Sequence, residues 1–173
     1  TEKGRNEQLE NADSVAEKVA IAALHYYLLQ VTPKKDMLFN PEESLNFNGN
    51  TGPYLQYVGA RIKSILAKAK ESAISSENPD FALLKTPEEW ELTKALGAFP
   101  DTVAKSAENF DPSIMASYLY DVAKLFSKFY QTCPIVNADT KALASARLFL
   151  AECTLTVMRN AMFLVLVPFL EKM

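Results

Sequence analysis

The chain has 173 residues, a net charge of −3, and a composition that is 49% hydrophobic and 23% charged. These values fit a globular domain with a buried core, and they argue against a protein that binds nucleic acid over its whole surface, which would be strongly basic. The two cysteines, Cys133 and Cys153, are too far apart for a zinc-binding CxxC pair, and His25 is the single histidine. We therefore expect two buried free thiols in a reducing compartment, no metal site, and a structural role for His25.

The first predicted helix follows a polar N-terminal segment, residues 1–13. Ser14 and Glu17 have the spacing of a capping box, which predicts a helix that begins there and ends near Leu29. Pro33 closes this region, and a short link follows. No apolar signal segment is visible at the start of the chain. Because the chain does not begin with methionine, we expect a piece of a longer protein.

A turn bracketed by glycines precedes the second long predicted helix. The turn and the first helical residues are Gly49, Asn50, Gly52 and Pro53. Glycine tolerates the backbone angles of a tight turn, and proline fits the start of a helix, where its missing N–H costs nothing. The helix that follows is predicted to end near Ser72.

Two different faces are predicted on this helix, on which successive side chains are rotated by about 100°. One side gathers the aliphatic residues Leu55, Val58, Ile62, Ile65 and Leu66. The adjoining side has no acidic residue and carries Tyr54, Tyr57, Arg61, Ser64 and Lys68. Aromatic rings beside cations suit stacking on unpaired bases next to phosphates. The alternative is that the tyrosines belong to the edge of the core and the cations to a solvated face.

Three further helical segments are predicted after a loop rich in Ser, Asn and Pro. Thr86 and Glu89 form a second capping box, ahead of a helix that ends at Gly97. A second short helix ends near Asn109 and completes an acidic αα-hairpin. Asp111 caps the next helix, in which apolar residues recur at spacings of three and four. These residues are Met115, Leu119, Val122, Phe126 and Phe129.

The last predicted helix includes the apolar run 161–170. A membrane span is not favoured, because Arg147, Glu152 and Arg159 interrupt the segment and its uncharged end is too short to cross a bilayer. A hydrophobic helix buried at the centre of a bundle explains the pattern better. Together the predicted elements give an all-α helical bundle, and no catalytic motif is visible in it.

At the glycine turn the sequence resembles a known family. The passage GNTGPYLQY at residues 49–57, continued by residues 60–66, closely resembles the start of the anticodon-binding domain of arginyl-tRNA synthetases. Further similarity lies in residues 116–123, 129–135, 146–148, 159–160 and 171–173.

The resemblance implies a helical bundle of the class I synthetase anticodon-binding type. Residues 1–48 resemble a helical connector that follows the catalytic core, and residues 49–173 resemble the anticodon-binding domain itself. The parent enzyme would use ATP and Mg²⁺ to charge tRNA with arginine in the cytoplasm. Its catalytic motifs would lie in a nucleotide-binding domain upstream, so this piece would hold no cofactor and would be inactive alone. Its partners would be tRNA and that catalytic domain, with no DNA or membrane partner.

The candidate site residues come partly from the resemblance and partly from helical geometry. The resemblance implies contacts of the anticodon loop with Tyr54, Tyr57, Tyr130 and Met173. Helical geometry adds phosphate contacts by Arg61 and Lys68.

Three features of the C-terminal half qualify this assignment. Ala161 stands where the family usually has glycine. Pro168 is expected to break or bend the last helical turn and so to change how Met173 is presented. Tyr130 follows the predicted core stripe, so its ring could be packed instead of available to RNA.

Two alternatives stay open at this point. A helical protein-interaction module could keep the fold without contacting RNA, and the acidic hairpin and the net charge of −3 favour it slightly. The same helical domain could also belong to a cysteinyl or glycyl synthetase, which the GNTGPYLQY passage argues against.

Overall fold

The computed structural model describes the backbone of residues 2–173 and the side chains of residues 12–173. Within residues 2–173 the chain forms seven α-helices and one 3₁₀ helix at Phe81–Leu83, and no β-strand. The helices are α1 (Glu2–Leu29), α2 (Pro41–Ser44), α3 (Gly52–Glu71), α4 (Pro87–Gly97), α5 (Phe99–Asn109), α6 (Pro112–Thr132) and α7 (Lys141–Leu164). The predicted all-α fold class is confirmed. Over the same residues, no helix combines the length and the apolar character needed to cross a membrane.

The core is built around α6, which packs against α3, α4, α5 and α7. Its predicted apolar stripe is confirmed, because all five of its residues are buried: Met115, Leu119, Val122, Phe126 and Phe129. Full burial of a large apolar side chain contributes about 1.5–3 kcal/mol relative to leaving it exposed. The stripe therefore explains why α6 lies at the centre of the bundle.

Helix α1 begins earlier than predicted, because it runs from Glu2 through Ser14 without interruption. Residues 2–13 are rich in Glu, Lys, Arg, Gln and Leu, which are good helix formers. The spacing of Ser14 and Glu17 would form a capping box only if the backbone left the helix at Ser14. A local cap pattern was therefore overridden by the helix propensity of the residues before it.

The end of α7 corrects two predictions. The helix stops at Leu164, and Leu166 adopts a left-handed φ of 54°. The N–H of Val167 then donates to the Met162 carbonyl at 2.9 Å, and that of Leu166 donates to the Phe163 carbonyl at 3.2 Å, which is a Schellman motif.

Pro168 consequently lies outside the helix and does not bend it. The apolar run was predicted to be helical, but the chain is not helical from residue 165 onward, and we call residues 165–173 the C-terminal tail. Val165, Val167 and Leu170 of the tail are buried. An apolar run can be buried equally well in this form, so hydrophobicity alone did not reveal where the helix ends.

A buried ion pair joins α4 to α7. Arg147 Nε donates to Glu89 Oε1 at 2.7 Å, and Arg147 Nη1 donates to the Pro134 carbonyl at 2.8 Å. The other oxygen of Glu89 accepts the Thr86 N–H at 2.8 Å, which confirms the predicted capping box. Burial alone would raise the pKa of Glu89, but the hydrogen bonds from Thr86 and Arg147 outweigh burial and lower that pKa.

The other expectations for single residues concern the cysteines and the histidine. Cys133 is buried and Cys153 is partly buried, and both are free thiols. His25 on α1 has its Nδ1 atom 2.7 Å from the carbonyl oxygen of Leu166. The histidine therefore joins α1 to the C-terminal tail, as its predicted structural role requires.

Candidate nucleic-acid interface

The glycine turn ahead of α3 forms at Gly49, whose φ of +104° lies in the region that favours glycine. Thr51 caps the helix, because its Oγ1 accepts a hydrogen bond from the N–H of Tyr54 at 3.3 Å. Gly52 and Pro53 are then the first two helical residues. Pro53 thus occupies the first turn, where its missing N–H leaves no hydrogen bond unmade.

Gly52 serves helix packing and not the turn for which it was predicted. A Cβ atom at this position would lie 2.1 Å from the carbonyl oxygen of Ala22 on α1. Because glycine has no Cβ, the backbones of α1 and α3 can touch here. The glycine therefore sets the distance between the two helices.

Two polar residues of the same passage fasten α3 to its neighbours. Asn50 Oδ1 accepts a hydrogen bond from the hydroxyl of the buried Tyr26 on α1. Gln56 is fully buried, and its Nε2 donates to the Lys18 carbonyl at 3.1 Å and to the Pro168 carbonyl at 2.8 Å. The GNTGPYLQY passage is thus largely structural, since it joins α1, α3 and the C-terminal tail.

Tyr57 is the large side chain of this passage that reaches solvent, with 42% of its surface exposed. It lines a cleft of about 450 Å³ between α3, the end of α6 and the C-terminal tail, which we call the basic cleft. The lining residues are Tyr57, Ala60, Arg61, Ser64, Ile65, Lys68, Tyr130, Lys172 and Met173. The structure therefore brings five of the six predicted RNA-contacting residues together.

Arg61 lies at the centre of the basic cleft. Its guanidinium carbon is 4.8 Å from the centroid of the Tyr130 ring and 5.5 Å from that of Tyr57, which are cation–π distances. Arg61 forms no ion pair with any carboxylate of residues 12–173. The rings therefore orient the guanidinium while its charge stays available to an anion.

Tyr130 belongs to both the core and the cleft. Its ring stacks on the buried Phe126, with centroids 6.4 Å apart and planes inclined by 14°. Arg61 lies over the same ring, and Tyr130 is only partly buried. The ring of Tyr130 is therefore partly packed against the core, and it also lines the cleft that the binding hypothesis requires.

Tyr54 is not brought to the basic cleft. Its hydroxyl is 3.2 Å from Ser127 Oγ, and its ring meets Tyr120 edge-on with centroids 5.9 Å apart, so α6 covers it. A helical wheel places Tyr54 on the same side as Tyr57, but it cannot tell which part of that side a neighbouring helix covers. Tyr54 therefore does not share the basic cleft with Tyr57, and its contact with the anticodon loop stays a prediction.

Three cations line the basic cleft, and no aspartate or glutamate side chain lies among its lining residues. They are Arg61, Lys68 and Lys172. Lys172 was missed in the sequence, where only its position next to Met173 could have pointed to it. The cleft continues past Lys68 into a groove of about 700 Å³ that extends to the loop after α6. A concave site lined by cations raises the local concentration of anions, even though the chain as a whole has a net charge of −3.

A second cavity, of about 260 Å³, lies between the 3₁₀ helix, α4 and α7. Phe81, Trp90 and Phe149 line it together with Cys153, and no lysine or arginine lies among its lining residues. Burial and, to a smaller extent, the charge of Glu152 raise the pKa of the Cys153 thiol, so the thiolate is disfavoured. This cavity therefore lacks the charge that a phosphate backbone requires.

The sequence of the chain matches a known protein domain family and several longer proteins. Residues 55–173 match the DALR anticodon binding domain. The arginine–tRNA ligase of Treponema pallidum is 54% identical over 176 residues, which cover 99% of this chain and 30% of that protein. The arginine–tRNA ligase of Clostridium perfringens is 41% identical over 169 residues, which cover 98% of this chain and 30% of that protein. The chain thus spans about 30% of the length of these relatives.

Solved structures give the same result for the fold. The arginyl-tRNA synthetase of Thermus thermophilus superimposes with a TM-score of 0.84 at 32% identity, over 91% of this chain and 27% of that one. The enzyme of Plasmodium falciparum superimposes with a TM-score of 0.82 at 26% identity, over 99% of this chain and 31% of that one. The predicted synthetase-type bundle and the resemblance to arginyl-tRNA synthetases are confirmed. Since the family match covers more than half of the sequence, the chain belongs to the DALR anticodon-binding domain family.

Proposed function

We propose that this domain binds the anticodon stem-loop of an arginine-accepting tRNA through the basic cleft. The observation that supports the proposal most directly is the arrangement of Tyr57, Arg61 and Tyr130, in which a guanidinium lies between two aromatic rings. Lys68 and Lys172 add positive charge to the same cleft. Stacking surfaces and cations are therefore available in one concave site.

The chemistry of a single-stranded loop fits this arrangement. Anticodon bases are not held in a duplex, so they can leave their stack and lie on a tyrosine ring. The phosphates between them carry charges that Arg61, Lys68 and Lys172 can neutralise, and Arg61 is already oriented before RNA binds. Met173 offers a flexible apolar surface at the same site, with 49% of its own surface exposed.

The parent protein in this proposal is an arginine–tRNA ligase, of which the chain forms the C-terminal part. The alignment with about 30% of each relative supports this assignment. A catalytic domain in the rest of the parent would use ATP and Mg²⁺ to charge tRNA with arginine in the cytoplasm. The chain itself would bind neither cofactor and would form no aminoacyl bond, with the catalytic domain and tRNA as its partners.

Binding of the chain to synthetic RNA stem-loops tests the proposal. The probe is a fluorescent hairpin with an arginine anticodon, and the comparison is a hairpin with the same stem and a different anticodon. We expect tighter binding of the arginine hairpin and an affinity that falls with salt. Equal affinity for both hairpins would exclude anticodon reading, and no salt-dependent binding of either would favour the protein-interaction alternative.

Substitution of Tyr57 by alanine is expected to weaken binding of the arginine hairpin by roughly fivefold to 150-fold. The reason is that one base stacked on an aromatic ring contributes about 1–3 kcal/mol. Because the ring is 42% exposed, the melting temperature of the protein should change little. Fluorescence anisotropy measures the affinity, and thermal denaturation followed by circular dichroism measures the stability.

Two variants control for this experiment. Tyr57→Phe keeps the stacking surface and should keep most of the affinity, whereas Phe110→Ala removes an aromatic ring that is 88% exposed and lies outside the cleft. A loss of affinity by Phe110→Ala would show that binding is not confined to the cleft. A large fall in the melting temperature of Tyr57→Ala would instead identify Tyr57 as a core residue.

A further inference from the structure

The C-terminal tail forms one wall of the basic cleft, and its last two residues, Lys172 and Met173, line the cleft. A segment outside regular secondary structure loses conformational freedom when it binds a ligand, and that loss weakens binding unless the segment is already held in place. The contacts that hold the tail are therefore candidates for a role in RNA binding.

The first anchor of the tail is the ring of Phe169. A Cβ atom at Gly59 would lie 2.6 Å from Phe169 Cε2, so the ring packs directly on the backbone of α3. The guanidinium carbon of Arg159, on α7, lies 4.4 Å from the centroid of the same ring. The ring is thus seated against α3 and covered by a cation from α7.

The second anchor is the carboxylate of Glu171. It forms an ion pair with Lys63 Nζ on α3 at 2.8 Å and a second ion pair with the guanidinium of Arg159 on α7. The hydrogen bond from Lys63 has the largest effect on the pKa of Glu171, and together with the charges of Arg159 and Lys63 it outweighs burial and lowers that pKa. The carboxylate is adjacent in sequence to Lys172, so it fixes the position from which the last two residues enter the cleft.

We infer that Glu171 is a positioning residue for RNA binding: its ion pairs with Lys63 and Arg159 hold the tail on α3 so that Lys172 and Met173 meet the anticodon loop. This inference rests on the proposed function of the basic cleft. Gly59 supports the same arrangement, because it leaves the space that the Phe169 ring occupies.

A positioning role for Glu171 and simple electrostatics predict changes of opposite sign in RNA affinity when the carboxylate is removed. Removal of an acidic charge beside a site for a polyanion should strengthen RNA binding, and it would also release Lys63 and Arg159 for phosphates. If Glu171 positions the tail, its removal should weaken binding despite the gain in positive charge. The direction of the change therefore separates the two roles.

The experiment measures the affinity of the arginine hairpin at several salt concentrations for the full chain and its variants. Glu171→Gln and Gly59→Ala are each expected to weaken binding by about fivefold and to reduce the salt dependence by about one phosphate contact, because Lys172 is no longer held at the RNA. Lys172→Ala should show the same reduction in salt dependence. Gly59→Ala changes no charge, so agreement between the two variants would assign the effect to the tail.

Two matched variants serve as controls. Glu91→Gln removes a surface carboxylate that pairs with Lys128, 3.6 Å away, outside the cleft. Gly97→Ala adds a methyl group where no atom lies within 4 Å. Both should bind like the native chain.

Different outcomes separate the inference from the proposal on which it rests. Unchanged or tighter binding by Glu171→Gln would overturn the positioning role, whatever the effect of Gly59→Ala on folding, because Glu171 is at the surface. Unchanged binding by a folded Gly59→Ala would overturn it as well. A native chain that does not distinguish the arginine hairpin from the other hairpin would instead overturn the proposed function.

Discussion

Substitution of Arg147 by methionine is expected to lower the free energy of unfolding by about 3–5 kcal/mol at neutral pH. Methionine keeps much of the volume of arginine, but it leaves the Glu89 carboxylate, whose side chain has no exposed surface, without its cation. It also removes the hydrogen bond to the Pro134 carbonyl. An unpaired buried charge costs far more than a lost surface ion pair, which contributes about 0–1 kcal/mol. Urea denaturation followed by circular dichroism measures the difference.

Two further variants control for this prediction. Lys128→Met breaks exposed ion pairs with Glu88 and Glu91, so it should change stability by about 1 kcal/mol or less. The double variant Glu89→Gln/Arg147→Met leaves no buried charge, and glutamine can still complete the capping box, so it should recover part of the loss. If Arg147→Met were as mild as Lys128→Met, the buried pair would not hold α4 to α7.

Arg147→Met should also reverse the sign of the pH dependence that Glu89 contributes to the free energy of unfolding. In the native chain the folded-state pKa of Glu89 is lowered, so its contribution to stability is present above the unfolded-state pKa and is lost as the pH falls through the folded-state pKa. Without Arg147, burial would raise this pKa, and stability would then increase as the pH falls. The difference in stability between the two proteins should therefore be largest at neutral pH. It should begin to shrink above about pH 4, as the pH falls through the raised pKa of Glu89 in the variant, and shrink further as the pH falls through the lowered pKa of Glu89 in the native chain.

The sequence predicted the fold well wherever one local pattern was sufficient. Apolar spacing identified the α6 stripe, and the Thr86 cap with Pro87 behind it located the start of α4. The pairing of Arg147 with Glu89 was not predicted, because the two residues are far apart in the chain and no spacing rule relates them. The end of α7 was missed for a similar reason, since only the neighbours of the tail decide whether an apolar run stays helical.

The sequence predicted only part of the candidate site, and the structure gives the physical reasons. Tyr57, Arg61 and Lys68 share one side of α3, and a helical wheel is sufficient to group them. Tyr54 satisfies the same rule but is covered by α6, which a wheel cannot represent. Lys172 enters the cleft because the tail folds back on α3, a tertiary event that leaves no periodic signal in the sequence.

The glycines of the GNTGPYLQY passage show the same limit. Both were predicted to serve a tight turn, and Gly49 does adopt a positive φ. Gly52 is required for a different reason, because it lies against the backbone of α1. A recognisable passage can therefore carry mainly structural residues, with Tyr57 as the member that lines the basic cleft.

Substitution of Gly52 by alanine is expected to lower the free energy of unfolding by about 3 kcal/mol, at the upper end of the usual cost of overpacking. The added Cβ would lie 2.1 Å from the carbonyl oxygen and 2.4 Å from the carbonyl carbon of Ala22. These are backbone atoms of a helix, so they cannot rotate away as the end of a side chain can. Helices α1 and α3 would have to separate, and urea denaturation would record the loss.

Gly97 provides a matched control for this substitution. Gly97→Ala, with no atom within 4 Å of the added methyl group, should be neutral or slightly stabilising because alanine favours a helix. Separation of α1 from α3 should also pull Gln56 away from the Lys18 carbonyl and disturb its hydrogen bond to Pro168 in the tail. Gly52→Ala should therefore weaken binding of the arginine hairpin as well as folding. If both properties matched those of Gly97→Ala, the close contact between the two helices would not control the cleft.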